Sequence, residues 1–397
     1  MPKSAYFPAI DGLRLLASLN IVFLHLASSA AFGYAAKYTW LKPIVSGPAF
    51  SAGLFFVLAG FLFASKFSDP DRRIAVVPFM FSRIAKLYRL HFICTIIMFV
   101  AVVFKLSGMT ALPENVSDIG TAFVNGLHNM THPTRSLLLH LTLTWSLVPE
   151  LGMKLNEPSW ALTGFFICYA FTPAAARFFF KIKNVKLLWL LFALTFIPGI
   201  VQGILFGCTH LYSPEYGIRF RYFHMFPAMH LCEYFFGMII FRLYQERQFD
   251  FLYKNFVAGV CQAVLLIALY ITCYAGQNWV QHQAVYFIVR HSIPILISGL
   301  FIMSLIPAKG FLARVFCIPI VRTIGRASFY PYLLHLPLIT IGWGVTNALG
   351  WQKFNMNSPF ATLLLVVILY TASPLYLHFK TKRKKAKLAA QASAAEK

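Results

Sequence analysis

The 397 residues are 59% hydrophobic and only 12% charged, with a mean hydropathy of +0.68. A soluble domain runs at about 45–50% apolar and about 25% charged, so that class is excluded, together with disordered, collagen-like, coiled-coil and disulfide-rich secreted chains. The 35 Lys and Arg against 12 Asp and Glu give a formal net charge of +23; in so apolar a chain this reads as the cytoplasmic cation excess that orients membrane proteins, not as a nucleic-acid footprint.

A helix needs roughly 20 apolar residues to cross a bilayer. That window predicts an all-α, polytopic transmembrane bundle of about ten spans, in chain order 12–33, 46–67, 90–110, 158–179, 186–207, 223–244, 254–275, 286–306, 328–348 and 359–379. The apolar runs are continuous rather than alternating, against a β-barrel. The first run has Asp11 and Arg14 at its start and no convincing cleavage site, so it is expected to stay as a span. The apolar stretch 134–150 is too short to cross and is expected to be interfacial or re-entrant. With the N-terminus cytoplasmic, all but nine of the Lys and Arg fall on one side. Both termini are therefore predicted to be cytoplasmic. A membrane domain over 1–380 is followed by a basic, solvated and disordered tail, 381–397, whose Lys run can touch anionic lipid. The seven cysteines show no metal or redox spacing, so they read as reduced packing residues and no metal is expected. The sequons at Asn115 and Asn129 carry no weight.

Ionisable groups inside spans are costly, at about 2.5–3.5 kcal/mol each on insertion scales, and so are functional candidates. The first span holds Asp11, Arg14 and His25. Arg14 and His25 are 11 residues apart, three turns and about 20°, so they share a face with His25 roughly 16 Å deeper. Arg14 can meet an anion at the cytoplasmic mouth while His25 reaches mid-membrane; the plainer reading is an interfacial Asp–Arg pair and a packed His. Ser328, Tyr332 and His335 form a second set on a span irregularised by Pro331 and Pro337. Glu233, with His230 one turn away, is expected to orient His25 or His335, or to pair with a buried Arg. Arg83, Lys86 and Arg89 form a basic stripe at i, i+3 spacing, with His91 beyond it. It is either a positive-inside anchor or a clamp for a phosphorylated cofactor. Trp145, Trp160 and Trp279 can stack on sugars or anchor at the interface.

Six pieces in order, IDGLRLLASLNIVFLH at 10–25, GLFFVLAGFLFA at 53–64, SRIAKLYRL at 82–90, NEPSWALTGFFICYAFTP at 156–173, MHLCEYFFGM at 229–238 and IGRASFYPYLLHLPLI at 324–339, make the chain resemble the acyltransferase 3 family of bacterial integral-membrane O-acyltransferases. The resemblance implies transfer of an acyl group, most often acetyl, from cytoplasmic acyl-CoA to a hydroxyl of a periplasmic or lipid-linked carbohydrate, in the bacterial inner membrane. It marks Arg14 and His25 as the essential pair, with His25 as general base or acyl relay, and Asp11, Glu233 and His335 as supporting catalytic groups. Arg14, Arg83, Lys86 and Arg89 would bind the CoA; Trp160, Tyr332 and Ser328 would meet the acceptor. Lys86 stands for the second Arg of the family's R-x-x-R motif, and Arg89 for its Pro. Ala59 and Ala161 stand for serines and Phe165 for a Glu, a role that Glu150, Glu157 or Glu233 could take over. The family's optional hydrolase-like domain is expected to be missing, since the chain ends after the tenth span. The rival class is a transporter or flippase for an anionic or glycan substrate, which intramembrane Arg, His and Glu would also serve; no internal repeat supports it. A degenerate, non-catalytic member is a third possibility, for which Phe165 argues.

Overall fold

Residues 6–27, 49–67, 69, 74–104, 125, 133–148, 155–208, 225–278, 283–351 and 359–395 are described by a computed structural model. Among them every regular element is helical. The order is α1 (Pro8–Ala27), α2 (Ala49–Lys66), α3 (Val76–Val103), α4 (Pro133–Leu141), α5 (Trp160–Lys181), α6 (Val185–Leu194), α7 (Ile197–Cys208), α8 (Pro227–Gln245), α9 (Asn255–Asn278), α10 (Gln283–Leu305), α11 (Phe311–Phe316), α12 (Pro319–Arg326), α13 (Phe329–Ala348) and α14 (Pro359–Ala395), with 3-10 turns at Trp145–Leu147, Glu157–Ser159 and Asp250–Tyr253.

Each predicted span holds a helix. Five stretches are long and apolar enough to cross a membrane: Pro8–Leu26, Val76–Val103, Glu157–Lys181, Asn255–Tyr274 and Phe360–Arg383. Phe50–Lys66, Val185–Val201 and Ser292–Leu305 are apolar but shorter. The predicted span 186–207 is two helices, α6 and α7, broken at 195–196. Pro198 has no N–H to offer Leu194, and the Thr195 hydroxyl donates to the Phe192 carbonyl (2.6 Å), covering part of the break. α14 runs on through the basic tail to Ala395. Ala, Lys and Gln are strong helix formers, and the preceding span supplies the nucleus that a free tail would lack.

The centre of the bundle is the α2–α8 pair, flanked by α10 and α5. Two glycines set its closeness. A Cβ on Gly60 would strike the Tyr234 carbonyl, and one on Gly237 would strike the Val57 carbonyl. Small residues facing each other let helix backbones touch, and dispersion between them replaces the missing hydrophobic drive in lipid. Phe56, Phe61, Tyr234 and Phe236 are fully buried around this seam. The Thr172 hydroxyl donates to the Cys168 carbonyl (2.9 Å), so the Tyr234 hydroxyl donates to Thr172 (2.7 Å) and ties α8 to α5.

The stretch expected to be interfacial or re-entrant packs into the bundle. After α4 the chain turns at Leu143, which has φ 58°, and buries His140, Trp145 and Ser146 completely. The Tyr88 hydroxyl of α3 donates to the Leu141 carbonyl (2.7 Å) and holds this element in place.

Candidate active site

The first turn of α1 is locked to α12. A Cβ on Gly325 would strike the backbone carbonyl of Asp11, so only glycine lets α12 lie there. The next residue, Arg326, then meets the buried Asp11 carboxylate. Asp11 accepts from the Tyr6 hydroxyl (2.6 Å), Arg326 Nε (3.0 Å) and Arg14 Nη1 (3.3 Å). Tyr6 in turn accepts from Arg326 Nη2 (2.6 Å) and Arg322 Nη2 (3.0 Å). Hydrogen bonds to Tyr6 and then Asp11 push the Arg326 guanidinium above its ordinary value. Asp11 therefore acts as the fixed anion that aims two guanidinium groups.

Arg14, Arg326 and Lys66 line the mouth of a cavity of about 320 Å³. Repulsion from Arg83, Arg14 and Lys86 reaches the Lys66 ammonium, so these cations share one field. Arg83 lies over the rings of Phe63 (5.2 Å) and Phe79 (5.3 Å), and Phe63 itself lines the cavity. Inward, the walls are Ile21 of α1, Phe55, Leu58, Ala59 and Leu62 of α2, Ala161, Phe165 and Tyr169 of α5, and Ser328, Phe329 and Tyr332 around the start of α13. The chamber is cationic at the entrance and apolar inside. From Arg14 to Ile21 it runs seven residues of α1, about 10 Å.

Beyond its deep wall lie two histidines. α1 and α13 are parallel: the Ser18 hydroxyl donates to the Ser328 carbonyl (3.0 Å) and accepts from the Tyr370 hydroxyl (2.7 Å). Seven residues further along both helices, the rings of His25 and His335 are 5.0 Å apart. His25 is one helical turn past Ile21. His335 is fully buried; its Nδ1–H donates to the Pro331 carbonyl (3.1 Å), which leaves Nε2 as the lone-pair nitrogen. Pro337 removes the helical donor for the Leu333 carbonyl, and Asn156 Nδ2 supplies one instead (3.3 Å). The Tyr332 hydroxyl donates to the Pro158 carbonyl. Those two bonds fasten residues 156–159 across the start of α13.

Of the residues singled out in the sequence, Arg14, Ser328 and Tyr332 line the cavity, and Asp11, His25 and His335 adjoin it. Arg83 stands behind Phe63, and Lys86 and Arg89 are exposed beside it. Glu233 joins neither His25 nor His335 nor an Arg: it accepts from His230 Nδ1 (2.8 Å) on its own helix, against Gly53. Trp160 is nine-tenths buried and packs on His230 (4.7 Å) and Phe56 (6.0 Å), not on the cavity. Trp279, Glu150, Asn115 and Asn129 lie outside the described residues. Tyr6, Lys66, Arg322 and Arg326 were not singled out. Arg326 was legible only as the residue preceding ASFYPYLLH; the others gave no signal beyond their charge or ring.

A family model described as an acyltransferase domain matches residues 7–377. Acyltransferase MdmB of Streptomyces mycarofaciens is 30% identical over 188 residues, which are 47% of this chain and 44% of that protein. The chain thus matches less than half the length of that relative. No solved structure matches it.

Proposed function

The chain belongs to the acyltransferase 3 family, and from that premise we propose that it is an integral-membrane O-acyltransferase taking its acyl group from acyl-CoA. One observation carries the reading: a cavity with a cationic mouth and apolar walls that ends one helical turn short of a histidine pair, His25 and the fully buried His335. Phosphate groups suit Arg14, Arg326 and Lys66, with Arg83 and Lys86 adding field, because guanidinium forks bind phosphate oxygens in pairs. The narrower arm of the donor suits the apolar chamber, and its thioester reaches the floor beside His25 and His335.

In the reaction a lone-pair imidazole nitrogen of this pair takes the proton of the acceptor hydroxyl as its oxygen attacks the thioester carbonyl. The C–O bond forms, the C–S bond breaks, and the thiolate leaves and collects the proton from the imidazolium. Ester and free CoA thiol result, with no net proton change. General base catalysis of this kind contributes about 10²- to 10⁴-fold. A two-step version with an acyl-imidazole intermediate on His25 uses the same groups.

The charge bias supports ten spans with both termini in the cytoplasm of a bacterial inner membrane, since Arg14, Lys66, Arg83 and Arg326 gather at one end of the bundle. CoA would enter there, and a hydroxyl of an envelope sugar or glycan would come from the other side. The test is thiol release from acyl-CoA by the purified chain in lipid nanodiscs. His25→Ala and Arg14→Ala should each lower turnover at least about 100-fold. A correctly inserted variant of either residue with full turnover overturns the proposal.

A further inference from the structure

Resting on that acyltransferase reading, we propose that the buried polar plug formed by α3, α4, the 156–159 segment and α13 is the acceptor site, and that it binds a neutral polyol. Four fully buried side chains meet there. His91 Nε2–H donates to the His140 carbonyl (2.8 Å), and His140 Nδ1–H donates to the Ser136 carbonyl (2.9 Å). Asn156 and His335 spend their donors on the Leu333 and Pro331 carbonyls. The ring and amide atoms left over are His91 Nδ1, His140 Nε2, Asn156 Oδ1 and His335 Nε2, together with the buried hydroxyls of Thr95 on α3 and Ser146 just past α4, and none of these has a hydrogen-bond partner among the described residues.

The ring nitrogens and the amide oxygen are lone pairs on neutral groups, hence acceptors only, whereas the two hydroxyls can donate or accept. Buried polar atoms are nearly always satisfied, and four unsatisfied acceptors against two hydroxyls across the packed elements of the plug call for a ligand that donates. Carboxylates and phosphates present lone pairs of their own and are disfavoured. An ammonium would donate as well, yet burying it costs more than burying a hydroxyl. Hydroxyl groups fit. The four atoms are linked through the protein: the His140 ring stacks on Trp145 (4.7 Å), whose indole N–H donates to Ser159 (3.1 Å), and Ser159 N–H donates to the Asn156 carbonyl (3.0 Å). They also lie past the donor chamber. His91 is eight residues, about 12 Å, further along α3 than Arg83, and His335 ends the series beside His25. Donor and acceptor would thus approach the histidine pair from opposite ends.

Position 140 allows a crossed test. His140→Phe keeps the ring stack and removes the lone pair, whereas His140→Gln keeps an acceptor and removes the stack. Cells lacking the chain are complemented with each full-length variant, and acylated envelope glycan is measured by mass spectrometry. In parallel, the purified variants are tested for thermal stabilisation by CoA. His140→Phe should lower acylation about tenfold, the worth of one such hydrogen bond, while His140→Gln retains most of it and both keep the shift by CoA. Equal acylation in the two variants, or a greater loss in His140→Gln, overturns the proposal, as does acylation found on an anionic sugar. His91→Phe and His91→Gln repeat the opposition if a variant at 140 fails to accumulate. Unchanged glycans in the deletion cells with no CoA shift in the wild type overturn the acyltransferase reading itself.

Discussion

Ala59→Leu should make the protein more stable and less active. Ala59 faces the cavity from α2, between Phe55 and Phe63, one turn away on either side. Leucine is almost as good a helix former as alanine, so the backbone is unaffected. Three added carbons, each about the 30 Å³ share of a water, occupy roughly 90 Å³, more than a quarter of the cavity of about 320 Å³. Filling empty space with apolar atoms typically adds about 0.5–2 kcal/mol. A donor arm forced past the new side chain meets overpacking of about 1–3 kcal/mol, or about 5- to 150-fold in kcat/KM. Thermal unfolding followed by tryptophan fluorescence and thiol release from acyl-CoA, both in nanodiscs, give the two numbers. A stabilised variant with unchanged kcat/KM would refute the chamber as the donor path. A destabilised one would refute the cavity as free space.

Two further outcomes follow from the plug. Asn156→Ala leaves the Leu333 carbonyl without the donor that Pro337 cannot supply, and should cost about 1–3 kcal/mol in thermal or denaturant unfolding; an unaltered transition would show that the bond is not formed. His140, in the short α4 outside the spanning helices, is held by burial at about 4 against an ordinary 6.5. A depressed folded value means that stability is intact above pH 6.5 and lost as pH falls toward 4, by up to about 3 kcal/mol. The stability difference between wild type and His140→Phe should therefore be flat above pH 7 and move against the wild type through that window; a difference independent of pH refutes the assignment of a buried neutral ring.

Periodicity made the α1 and α13 faces readable, because helical spacing alone puts Arg14 with His25 and Ser328 with His335. The structure adds the fact that the two helices run parallel in register, with Ser18 against Ser328 and His25 against His335. Arg326 and Lys66 were hidden for a physical reason: at helix ends a functional cation and a topological one look alike. Glu233 shows the opposite error. An acid alone in a span suggests a catalytic orienter, yet His230 three residues before it was already within local reach. His91 was legible only as the end of the basic stripe, and His140 was obscured because a stretch expected to be interfacial or re-entrant gives no sign of which side chains it buries.

The three departures at Ala59, Ala161 and Phe165 lie on two helices more than 90 residues apart in sequence, and taken singly they read as scattered losses. All three side chains line the one cavity. Phe165 stacks on Phe56 (4.5 Å) and packs on Tyr169 (6.0 Å). A carboxylate there would be buried against rings, and alanines at 59 and 161 remove the hydroxyls that could have solvated it. Ala59, Ala161 and Phe165 thus make one wall of the cavity apolar.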